Sequence, residues 1–117
     1  MMPKGISILF ATTAMIAISG CSNSVPKCGD TETTDLVKDI ADREMARQYG
    51  RDFASLFSYS VEAIRTTWTD EQTGAHECAA QLVMSASNTG QSDEAPITYT
   101  VELTDDGEEF FVNVYGL

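Results

Sequence analysis

The side chains able to do chemistry are few: three cysteines, one histidine and 18 carboxylates in 117 residues. His76 lies two positions before Cys78, and alternation along a strand would set both on one face, the arrangement of a Cys-His pair. No Cys-x-x-Cys exists for dithiol chemistry. A serine nucleophile would need His76 as its base, and no Gly-x-Ser-x-Gly elbow surrounds any serine. Phosphate-cradling glycine patterns are absent. The acidic runs Asp70-Glu71 and Asp105-Asp106-Gly107-Glu108-Glu109 lack the Asp-x-Asp-x-Asp-Gly spacing that arranges oxygens around calcium, so they read as solvated hairpin tips. Carboxylate pairs are available in any acidic chain, and nothing singles one out for hydrolysis. The reading is a protein that is not an enzyme.

The N-terminal stretch is built differently. Lys4 and the amino terminus form a short positive region, and Ile6 to Ile18 is apolar apart from Ser7, Thr12 and Thr13. That run is shorter than the roughly 20 apolar residues needed to cross a bilayer, and it ends in the small residues Ser19 and Gly20. These are the three parts of a secretory signal. Ile18-Ser19-Gly20-Cys21 resembles the lipobox of bacterial lipoproteins, where a branched apolar residue and two small ones precede the lipid-modified cysteine. The resemblance implies cleavage before Cys21, diacylglycerol on its sulfur and acylation of its amine. Ser22 rather than Asp follows, which by the same resemblance implies the outer membrane, with the domain facing the periplasm. Anchoring through several acyl chains is firm, since each buried methylene contributes about 0.8 kcal/mol.

With Cys21 lipidated, Cys28 and Cys78 remain, and an even pair in an exported chain reads as a disulfide. The Cys-His pair stands as the rival reading. A single histidine and no free thiol leave too few ligands for zinc, so neither a metal nor a cofactor is expected.

Removing Lys4 with the leader takes the formal charge from −11 to −12. Such a surface repels nucleic acid and anionic headgroups, and suits either a basic protein partner or plain solubility beside a membrane.

The segments that position these residues follow in order. Residues 1–20 form the leader, and 21–27 a polar tether with one proline. Residues 28–117 make a single α+β domain. Gly29-Asp30-Thr31 supplies turn and N-cap chemistry. Leu36, Val37, Ile40, Ala41 and Met45 then form one helical stripe to about Gln48, with Lys38–Asp42 and Asp39–Arg43 as ion pairs four apart. Gly50 closes this helix. Phe53, Leu56 and Phe57 have helical spacing, predicting a short second helix over Arg51 to Tyr59, or a continuation of the first bent at Gly50.

Strands are predicted at Val61–Thr69, Ala75–Ser85, Ile97–Thr104 and Phe110–Tyr115, with a polar loop from Asn88 to Pro96. The whole predicts a helix packed on a four-stranded antiparallel sheet of two hairpins. That order is similar to cystatin-like and NTF2-like domains in architecture.

On the last strand, Phe110, Val112 and Val114 share one face and Phe111, Asn113 and Tyr115 the other. Phe111 and Tyr115 therefore either lie beneath the second helical segment or form an exposed patch, and Trp68 is likewise a core residue or an interface anchor. Two functions are compatible with this: an accessory module that holds another envelope protein through its sheet, or an inhibitor, immunity or exclusion lipoprotein that captures a basic toxin or hydrolase.

Overall fold

The computed structural model describes residues 24–117; the leader, the lipobox and Cys21 lie outside the described residues. The order is α1 (Thr31–Tyr49), α2 (Arg51–Ala54), β1 (Phe57–Thr69), β2 (His76–Ala86), β3 (Ser92–Leu103) and β4 (Phe110–Tyr115). The strands form one antiparallel sheet in the order β1-β2-β3-β4. This is the predicted α+β arrangement, with α1 on one face of the sheet.

The inner face follows from period-two alternation. Cys78, Ala80 and Leu82 on β2, Ile97, Tyr99 and Val101 on β3, and Val112 on β4 are buried against Val37 and Ala41 of α1. The helical stripe is as expected, with one addition. Thr33, one turn before Val37, is fully buried, and its hydroxyl has no hydrogen-bond partner among the described residues.

The N-terminal segment packs too. Pro26 is buried, and Val25 and Cys28 join the core. Cys28 is bonded to Cys78 with a Cα–Cα distance of 5.8 Å. The Tyr99 hydroxyl donates to the Cys28 carbonyl at 2.8 Å. Together these tie the start of α1 to two neighbouring strands, and the sulfur of Cys78 is not free to act with His76. The imidazole instead bonds the Thr69 hydroxyl through Nδ1 at 2.9 Å.

Three local expectations change. β1 starts at Phe57 rather than Val61, because Phe57, Tyr59 and Val61 alternate with two serines and pair in register with β2. That shortens the second helix to a single turn. β3 starts at Ser92 rather than Ile97, running through Pro96. The proline is tolerated because β4 reaches only as far as Thr98, so the missing N–H falls where the sheet has no further partner. Asp42 pairs with Arg51 at 2.9 Å rather than with Lys38, which reaches Asp35 at 3.4 Å; the Asp39–Arg43 pair forms as predicted. Asp30 sits at the N-cap, but its carboxylate accepts from the Lys27 amide and not from the helix.

Gly50 has φ 94° between the two helices, a conformation that spares only glycine a steric cost. Ala63 has φ 53° at an irregularity where the β1–β2 register shifts between Glu62 and Arg65. The shift keeps Val61 and Ile64 both on the core side.

Two stability outcomes follow from these contacts. The disulfide closes 50 residues of chain, so Cys28→Ala with Cys78→Ala is expected to cost about 4 kcal/mol in denaturant unfolding. Thr33→Val, which keeps the shape and removes an unpaired buried hydroxyl, is expected to raise stability by about 1 kcal/mol in the same assay.

Candidate functional site

Two surfaces leave large apolar side chains open to solvent. The first is the outer face of the sheet, which no element covers among the described residues. Trp68, Phe111 and Tyr115 all lie on it, 53%, 41% and 56% exposed. This decides the alternative left open by the sequence: none of the three is a core residue, and α2 is too short to cover Phe111 or Tyr115.

Register shows how they are spread. Trp68 pairs with Glu77, which pairs with Thr100 and then Asn113; Arg65, Ala79, Thr98 and Tyr115 form the next row; Phe111 stands beside Glu102. Trp68 on the β1 edge is therefore roughly 14 Å, three strand spacings, from the β4 edge. Phe111 and Tyr115 are four residues apart along β4, roughly 13 Å. The three share a face without touching. Between them the surface is polar, except where the small side chain of Ala79 opens a shallow cleft of about 270 Å³ between Arg65 and Tyr115.

The second surface is a trough between the C-terminal half of α1 and the sheet. One lobe, about 270 Å³, is lined by Ala41, Met45, Tyr59, Leu82, Met84 and Leu117 among others. An adjoining lobe, about 510 Å³, reaches Phe53, Phe57 and the β2–β3 turn. Met45, Tyr49 and Met84 line both. Tyr49 and Phe53 have ring centroids 5.4 Å apart, and Phe53 and Phe57 5.2 Å.

The sequence reading missed this trough, although a signal for it exists. Met45, Tyr49, Phe53 and Phe57 recur every four residues straight across the break at Gly50. A stripe that ignores a helix boundary marks a continuous surface.

Tyr59 lines the inner lobe, while its phenol oxygen is closed to solvent and has no hydrogen-bond partner among the described residues. Burial pushes its pKa up, the Asp42 carboxylate adds to this, and Arg51 opposes it. Tyr99 is pushed up by burial alone. At the trough's helical rim, hydrogen bonds from Arg47 and Gln48 hold Glu44 below the usual carboxylate range. Asp106, at the β3–β4 turn, is lowered by the Thr104 hydroxyl and the Glu108 amide.

Among the described residues, no three His, Cys, Asp or Glu side chains cluster as metal ligands, and no helix is long and apolar enough to cross a membrane. Comparison with family models, curated proteins and solved structures finds no match. The helix-over-sheet layout thus carries no family assignment.

The two buried phenols set an alkaline limit. Below about pH 9 they are neutral in both states; above about 10 the unfolded chain ionises them while the fold resists, so stability falls as pH rises toward the folded-state values. Urea midpoints measured from pH 7 to 11 are expected to stay level and then drop, and Tyr99→Phe is expected to flatten the drop while costing about 1 kcal/mol at pH 7 for the lost bond to Cys28.

Proposed function

We propose that this chain is a small lipoprotein, held in the bacterial envelope by lipid on Cys21, that binds another envelope protein through the open face of its sheet and is not itself an enzyme. The observation that carries the reading is the one-sided packing. A four-stranded sheet buries one face under α1 and leaves large aromatic side chains exposed on the other. Exposed Trp and Tyr on a rigid sheet are the side chains that dominate binding energy at protein interfaces, since they give large contact area at little cost in conformational entropy. Their spacing fits a partner that spans the sheet from edge to edge. The leader and lipobox supply the address, the outer membrane facing the periplasm.

A second reading is favoured by charge. Asp70-Glu71 and the Asp105–Glu109 run lie in the turns at one end of the sheet, the end where β2 begins, close to the disulfide. With a formal charge of −12 after loss of the leader, an inhibitor or immunity lipoprotein would capture a basic toxin or hydrolase by electrostatic steering. Association would then weaken steeply with salt.

The test is photocrosslinking of the full-length lipoprotein in detergent-solubilised envelope, with the crosslinking residue placed at Phe111 or Tyr115. The expected result is one stoichiometric partner. Phe111→Ser and Tyr115→Ser should each abolish its capture while shifting unfolding by no more than about 0.5 kcal/mol, as befits exposed sites. Self-crosslinks alone, or capture that survives both substitutions, would overturn the reading; loss of capture on raising ionic strength would select the inhibitor.

A further inference from the structure

β4 ends the sheet on one side, and among the described residues no strand pairs with its outer edge. We propose that this edge pairs antiparallel with β4 of a second copy of the chain, about a two-fold axis at Asn113, so that two four-stranded sheets become one of eight. The inference goes beyond the capture of an envelope partner and does not rest on it.

The two edges of the sheet are built differently. An edge strand carries a row of unpaired N–H and C=O groups, and folds that stay single blunt it with charges, bulges or covering chain. β1 is blunted: its register slips between Glu62 and Arg65, Ala63 takes a positive φ there, and both flanking residues are charged. β4, Phe-Phe-Val-Asn-Val-Tyr, has none of these devices. It holds no charge, proline, glycine or register shift and is rich in β-formers, the composition that pairs with copies of itself.

Charge restricts where two copies can meet. The chain has 18 carboxylates against 7 cationic side chains, so its copies repel over most of their surface. β1, β2 and β3 each include a carboxylate, and β4 includes none. An antiparallel seam also sends the acidic turns before β4 to opposite ends. Glu109 of the two copies would stand roughly 27 Å apart, against a screening length of about 8 Å at physiological salt.

The register follows from the faces. Residues opposite one another across an antiparallel seam point to the same face, so the axis must pass through a residue rather than between two. An axis at Asn113 sets the exposed Phe111 opposite Tyr115 of the second copy, and Tyr115 opposite its Phe111, giving two aromatic cross-strand pairs. Val112 meets Val114 on the inner face. Asn113 meets its own copy, where one amide can donate and the other accept. An axis at Val112 would instead set Phe111 opposite Asn113 and Tyr115 opposite Glu109.

The test uses the mature chain exported behind an ordinary leader with Cys21→Ser, which leaves residues 24–117 unchanged. Sedimentation equilibrium is expected to show monomer and dimer in exchange. A Kd on the order of 10–100 µM fits a six-residue seam that buries less than the roughly 1,200 Å² of a stable complex. Added salt should tighten the dimer by damping the repulsion between copies. Asn113→Lys sets two ammonium groups face to face and should weaken the dimer at least about ten-fold. The urea midpoint should barely move, since Asn113 is exposed. Asn113→Cys should oxidise to a covalent dimer, whereas Phe111→Cys should not, its two copies lying roughly 14 Å apart. The proposal is overturned if the chain stays monomeric at millimolar concentration, if Asn113→Lys leaves the dimer intact, if salt weakens it, or if Phe111→Cys crosslinks as fast as Asn113→Cys. All four are measured on the purified chain, so capture of an envelope partner enters none of them.

Discussion

The bond between Cys28 and Cys78 is the constraint on which the rest of this small fold depends. It joins Cys28, three residues before the first residue of α1, to the second strand, across 50 residues of chain. The Tyr99 hydroxyl closes on the same Cys28 carbonyl from the third strand. An isolated helix of 19 residues and a sheet with one buried face each have little reason to persist alone. Fixing the start of the helix to the beginning of β2 places Val37 and Ala41 against Leu82, Ile97 and Val101.

Because the helix is pinned at one end only, its two ends behave differently. Near the disulfide the packing is complete, and Val37, Tyr99 and Val101 have essentially no exposed surface. Toward Tyr49 the contacts thin out, and methionine and aromatic side chains enclose a trough in place of a filled core. A single helix about 10 Å across cannot cover a sheet four strands wide along strands of 11 to 13 residues. Partial cover on one face and none on the other are consequences of that mismatch. Both candidate surfaces arise from it.

The charge is arranged to match. Acidic turns gather at the end of the sheet near the disulfide, and the aromatic trough opens at the other end.

The even cysteine pair belongs to local chemistry, and so does the inward set on β3. From Ile97 to Glu102 adjacent side chains differ sharply in polarity, and a period of two admits only one assignment of faces. The stripe of α1 was legible for the same reason at a period of 3.6. Where polarity is ambiguous the local signal failed: Phe57 and Tyr59 fit a helix or a strand equally, and pairing with β2 decided for the strand. Pro96 argued for a loop, and only the short reach of β4 made room for it in a strand. Phe111 and Tyr115 alternate as any core pair would. Their exposure was set by what packs above them, and no local pattern records that. The Tyr59 hydroxyl became an orphan only when α1, β1 and β2 closed around it. Sequence determines which faces are apolar, because that is a property of neighbouring residues; the tertiary structure decides which of those faces find a cover, because one helix is too narrow to reach them all.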